Sequence, residues 1–175
     1  MELELGQGKG RERMELWFRR AMEIAPNNYE ACTAKLYYLE PKWYGSPDEM
    51  LRFGRECVAS EKWNGSVPLV LVDAHETLAT YARRTGETNY WKRAEVWPDL
   101  KSSFEKFFTL DPEASSWRHN YARYAYWCGQ WESLNEQIKL LGEVNYDYFG
   151  GRAEFDKMVK LAAEHARKPA AGGGP

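Results

Sequence analysis

The sequence predicts an all-α protein, built of antiparallel helical hairpins stacked as a short, irregular α-solenoid of about eight helices. Three observations predict it. Met14, Phe18, Ala21 and Pro26 have the same spacing as Leu100, Phe104, Phe107 and Pro112, so one apolar helix face ended by a proline occurs twice. Apolar residues recur at the helical period through nearly every segment between residues 11 and 167. The one run that could be a strand, Val67 to Val72, has no second strand to pair with.

Each element has its own signals. Met14, Trp17, Phe18, Ala21 and Ile24 form one stripe on a first helix over 11–25, which Pro26 stops. Asn27 and Asn28 offer caps to a second helix over 29–39, with Tyr29, Cys32, Leu36 and Leu39 inward and Pro41 closing it. Ser46, Pro47 and Glu49 read as a capping box with proline at the first helical position. The helix they open, 47–60, buries Met50, Leu51, Gly54, Cys57 and Val58, and Gly54 suits a close helix crossing. A loop around Asn64-Gly65-Ser66 precedes a helix from Pro68 to Arg84, carried by Leu71, Ala74, Leu78 and Ala82. Residues 85–97 read as a loop with one helical turn. Helices over 98–110 and 114–128, a tight turn at Gly129-Gln130, a helix from Trp131 to Leu141 and a last helix over 151–167 complete the chain.

A flexible leader over 1–10, a single helical domain over 11–167 and a disordered tail over 168–175 follow from composition, the tail being PAAGGGP after Lys168. Net charge is −2 with a sequence pI near 6.0, which gives no general attraction to nucleic acid or to an anionic membrane. No apolar run approaches the ~20 residues that span a bilayer. Glu2 and Glu4 stand where a signal peptide carries positive charge, and the three cysteines, Cys32, Cys57 and Cys128, lack metal-ligand spacing. Buried thiols in a reducing, cytoplasmic setting are therefore expected.

The stretch 115–141 resembles the tetratricopeptide (TPR) family. Ala122 matches the small residue of the first helix of that repeat, Gly129 its turn glycine, Trp131 the aromatic beyond, and Leu134, Ile138 and Leu141 the second helix face. Leu100, Phe104 and Pro112 resemble the end of a preceding repeat, and Phe18, Ala21 and Pro26 another. Leu36 stands where the family prefers glycine or alanine and Phe107 where it prefers alanine, and residues 42–97 do not follow the roughly 34-residue register. Leu39 to Phe53 also looks like a divergent TPR-like bacterial group of unassigned function. The resemblance covers half the chain. It implies a protein-interaction scaffold and carries over no catalytic residue and no cofactor.

The candidate sites follow from exposure and chemistry. His75 lies in Asp73-Ala74-His75-Glu76, a spacing that does not converge on a metal, and reads as a surface or hydrogen-bonding histidine. His119 and His165 are isolated in sequence. Gly6-Gln7-Gly8-Lys9-Gly10 lacks the Ser/Thr and the strand of a phosphate loop. Trp43 and Tyr44, beside a tight turn, must pack over helix ends or stand exposed. Packing is the expected state, and exposure would make them an anchor for a peptide or sugar. In a TPR-type stack the first helix of each pair lines the concave side, so Tyr37, Arg118 and Arg123 are candidate groove residues, arginine being suited to grip a carboxylate. The chain is thus expected to bind a protein or peptide without catalysis, cofactor or metal. An aromatic-lined small-ligand or glycan site is the alternative, and the N-terminal helix is a candidate homodimer surface.

Overall fold

The structure is a computed structural model and describes residues 10–43 and 45–167. Except for Gly10, the leader and tail expected from sequence lie outside the described residues, as does Tyr44. Among the described residues there are eight α-helices and three 3-10 segments, with no strand. They divide into two compact units. The first runs from the N-terminal side to Tyr90 and includes Pro98–Pro112; the second comprises Trp91–Trp97 and the described residues from Glu113 onward.

The first unit holds α1 (Arg11–Ile24), α2 (Tyr29–Tyr38), α3 (Pro47–Ala59), α4 (Val70–Arg84) and most of α5 (Val96–Leu110). Asn28 caps α2, its side chain accepting from the Ala31 N–H at 2.9 Å. Ser46 caps α3 by accepting from the Glu49 N–H at 3.3 Å, with Pro47 in the first turn, which is one half of the expected capping box; the Glu49 carboxylate meets the Ser46 hydroxyl rather than its N–H. Gly54 sits at a close crossing of α3 and α4, where an added Cβ would lie 2.8 Å from Leu71 Cα. The apolar run at 67–72 is helical: Val67–Leu69 make a 3-10 turn that leads into α4, and all six residues are buried. A helix buried on every side lacks the polar stripe that would distinguish it from a buried strand.

Several helix boundaries and one stripe differ from expectation. The first turn of α5 begins at Val96, because a proline at its third residue removes an N–H that has no intrahelical partner there. The N-terminal residues expected in α6 form turns at Ala114–Ser116 instead, and Leu39 and Leu141 cap α2 and α7 rather than lie within them. On α1 the buried line is Met14, Phe18 and Met22, at four-residue intervals. Trp17 lies about 100° around the helix from Phe18, and Ile24 two turns further along the same flank. Both are exposed, at 43% and 86%.

The second unit holds α6 (Trp117–Cys128), α7 (Trp131–Leu140) and α8 (Arg152–Arg167). Gly129 ends α6 at φ +75°, and the Gln130 N–H returns to the Ala125 carbonyl at 2.8 Å, a Schellman closure that turns the chain into α7. Ala122, Ala125 and Ala162 keep the helices close around Leu134, Leu141, Phe155 and Met158. A 3-10 turn at Tyr146–Phe149, absent from the sequence reading, is fixed by His119. The Asn145 N–H donates to His119 Nε2 at 3.0 Å, so Nδ1 carries the proton and donates to the Ser116 carbonyl.

Candidate functional site

The sequence-predicted residues fall in both units, and the first unit carries the more developed constellation. At the C-terminal end of α2 the chain folds back over the helix: the Trp43 and Gly45 N–H groups both donate to the Glu40 carbonyl. Gly45 is held so close to the Leu39 carbonyl that an added Cβ would overlap it. That tight return turns Trp43 outward. Tyr37 and Trp43 are 40% and 41% exposed, with ring centroids 5.7 Å apart and planes at 59°. The expectation that Trp43 packs over the helix end is therefore corrected. It leans on Tyr37, and the pair faces solvent.

Lys42 and Glu40 complete the group. The Lys42 ammonium lies 4.2 Å from the Tyr37 ring centroid and 6.0 Å from that of Trp43, within cation–π range. It pairs with the Glu40 carboxylate at 3.0 Å, and the Tyr81 hydroxyl on α4 donates to the same carboxylate at 2.8 Å. Glu40 is buried to 7% exposure, so its charge needs these two donors. Desolvation pulls the Lys42 pKa down, but the hydrogen bond and charge of Glu40 hold it above the ordinary lysine value. Burial, then the Glu40 hydrogen bond, push the Tyr81 phenol up. Lys42 and Tyr81 therefore remain protonated through neutral pH, and the aromatic pair keeps its cation.

In the second unit, Arg118 and Arg123 are half-buried and engaged. Arg118 donates to Gln137 Oε1 at 3.2 Å. Arg123 donates to Asn120 Oδ1 at 3.0 Å and stacks over Trp127 at 5.0 Å, while its buried Nε has no hydrogen-bond partner among the described residues. These contacts hold both guanidinium groups against their own unit. An open cleft of about 890 Å³ lies elsewhere in this unit, lined by Trp131, Glu132, Asn135, Glu136, Lys139 and His165 among others. His165 stacks flat on Trp131, centroids 4.3 Å apart and planes at 5°.

The burial of two polar groups was not legible in the sequence. His75 is fully buried, which bears out the hydrogen-bonding reading and not the surface one. Its Nε2 donates to Asp99 at 3.2 Å, and Nδ1 meets the Tyr90 hydroxyl at 2.8 Å. Arg55 grips Asp99 bidentately, at 2.7–3.1 Å. Burial pushes the Asp99 pKa up, but the hydrogen bonds from His75 and Arg55 outweigh it and hold it below the ordinary carboxylate value. This Tyr–His–Asp–Arg chain has the members of an acid–base relay; with His75 fully buried, it is a lock that ties Tyr90 and Asp99 to α4. Lys35 is also buried. Its ammonium sits 4.3 Å from the Phe18 centroid and 4.6 Å from that of Phe53, and pairs with Glu15 at 2.7 Å. Among the described residues no three His, Cys, Asp or Glu side chains converge on a metal position, and no helix is long and apolar enough to cross a membrane.

With Tyr37, Lys42 and Trp43 set on their turn, the comparison with known proteins concerns the same part of the chain. Residues 3–65 match a family described as a domain of unknown function (DUF4034). That segment spans α1 to the loop after α3 and contains the exposed aromatic pair. It is not a match to the tetratricopeptide family, and it covers just over a third of the chain. No curated protein and no solved structure matches the sequence.

Proposed function

We propose that the chain is a non-catalytic, TPR-like helical module that binds a protein or peptide segment through Tyr37, Lys42 and Trp43. The observation that carries this reading is the pair of large aromatics standing exposed, side by side, one on the last turn of α2 and one on the following turn tied down by Glu40. Exposed Trp and Tyr are costly to leave in water and are the side chains that most often anchor a partner. They order little on binding because the turn already fixes them. Lys42, over both rings, leaves the edges and outer faces for an apolar or aromatic side chain of the partner. Probing a peptide array with labelled protein tests this. Positive spots for the wild type, lost in a Tyr37→Ala/Trp43→Ala variant with unchanged circular dichroism, are expected. Spots that persist in that variant, or none for the wild type, contradict it.

A second reading has its own observation, the open cleft beside Trp131. An indole edge with nearby carboxylates, an amide and Lys139 suits a polar small ligand or a glycan. Quenching of tryptophan fluorescence by an oligosaccharide panel, abolished by Trp131→Leu, would favour it over the peptide reading. A panel that leaves the emission unchanged removes it.

A further inference from the structure

A second surface in the first unit is independent of the Tyr37–Trp43 pair. Phe18 and Met22 of α1, Pro26 of the following turn, and Trp63 of the α3–α4 loop line an apolar cleft of about 300 Å³. The loop is docked there by the Asn64 N–H, which donates to the Pro26 carbonyl at 3.2 Å, and by Trp63, which meets the Phe18 ring edge-on at 5.6 Å. Ser60 Oγ accepts from the Trp63 N–H at 3.2 Å and sets the turn. The cleft is therefore built by backbone and ring contacts, and its walls are in place without an occupant. Its volume is at the low end for ligand pockets, enough for one bulky side chain and too small for a packed helix.

The rim carries charge. Arg19 and Lys62 stand at its edge, exposed, and neither has a carboxylate partner among the described residues; Glu23 is the single acid there. Two cations against one carboxylate leave the rim net positive. Arg20, stacked over Trp17 at 5.4 Å on the neighbouring flank of α1, adds to that field. A second copy of the chain bringing α1 to this site would set arginines against arginines. A segment presenting an apolar side chain between acidic residues would not. Every lining residue also falls within 3–65, the stretch that matches the domain family.

We infer that this cleft is a docking site for an acidic peptide segment that inserts one leucine- or phenylalanine-sized side chain under Trp63, with its carboxylates on Arg19 and Lys62. The inference shares with the proposed function only the idea of a partner; its residues are different.

The test is nitrogen-edited NMR of the full chain, following the Trp63 indole N–H during titration with three blocked tripeptides, acetyl-Glu-Phe-Glu-amide, acetyl-Lys-Phe-Lys-amide and acetyl-Glu-Ala-Glu-amide. The first should shift the Trp63 signal saturably at about millimolar concentration, the other two roughly tenfold more weakly or not at all. Arg19→Glu/Lys62→Glu, both changes at exposed positions, should reverse the preference between the acidic and basic peptides. Trp43→Ala should leave the Trp63 shifts unchanged, which separates failure of this site from failure of the Tyr37–Trp43 anchor. Equal shifts with the acidic and basic peptides, or no saturable shift with the acidic one, overturn the inference. So does a concentration-dependent mass in sedimentation that Ile24→Asp abolishes together with the Trp63 response, since the occupant is then a second copy.

Discussion

Each of the two units is held together internally by its own kind of contact. In the first, buried Glu40, Asp99 and Ser103 are bonded to elements far apart in sequence: half-exposed Arg55 and Asp99 are 44 residues apart, Glu40 and Tyr81 41, and Ser103 donates to the Pro68 carbonyl 35 residues away. In the second, the polar ties include Asn135 to the Ala162 carbonyl, 27 residues apart, and His119 to the Asn145 N–H, 26 apart, around a core of alanine, leucine and aromatic packing. A buried charge tolerates only the geometry that pairs it, so such contacts fix position more sharply than they add stability. One of them, the bond from Tyr81 to Glu40, holds the carboxylate that pairs with Lys42 beside the exposed Tyr37 and Trp43 rings. The difference is a reason to look for binding in the first unit.

Breaking the lock should have the largest effect. Asp99→Ala leaves fully buried His75 without its acceptor, and a loss of about 3 kcal/mol in urea-derived stability is expected. His75→Phe, which removes the polar group together with its need for a partner, should cost less than Asp99→Ala. Equal losses would mean the network is mere packing. Gly54→Ala should come next, at about 2 kcal/mol, because the new methyl meets the Leu71 backbone as well as its side chain, and the backbone cannot yield by a rotamer change. The matching glycine of the second unit, Gly129, would meet only the tip of Lys92, so Gly129→Ala should cost about 1 kcal/mol, chiefly from its left-handed backbone.

The pH dependence sharpens the same contrast. Burial, partly offset by the Tyr29 hydroxyl and reinforced by Glu76, pushes Asp73 up to about 6. The folded chain therefore holds this proton more tightly than the unfolded chain. The resulting stabilisation is complete below the unfolded value of 3.8 and is lost as pH rises through about 6. Asp73→Asn should raise stability at pH 8 by about 1–2 kcal/mol and flatten the slope between pH 4 and 6, measured by thermal melts. Asp99 has the opposite sign: its contribution is present above 3.8 and is lost as pH falls through its lowered folded value. Ser46→Ala stands with Gly129→Ala at the small end of the series, at about 1 kcal/mol from the lost cap of α3.

Local chemistry made most of the helices readable. Caps and prolines act within a few residues, so Asn28, Ser46-Pro47 and Gly129 marked real ends. Gly54 was legible for the same reason: a glycine inside a good helix asks for a close neighbour. The α1 stripe was not, because the pattern of Trp17, Phe18 and Ile24 covers more than one flank, and only packing decides that Met22 rather than Ile24 goes inward. Burial of Lys35 and His75 was equally hidden. Their partners, Glu15, Tyr90 and Asp99, lie 15 to 24 residues away, and no spacing rule joins them. Of the candidate site, Tyr37 and Trp43 were legible as large aromatics near a turn. Their exposure, 40% and 41%, is decided by packing around α2 and the loop after it, which no spacing shows.

The most direct test of the binding account is to titrate the best peptide from the array into nitrogen-labelled protein and follow all eight tryptophan indole signals. The account predicts that the Trp43 signal moves most and saturates with binding, while that of Trp131 stays in place. Movement centred on Trp131, or no movement at Trp43 on binding, would contradict it.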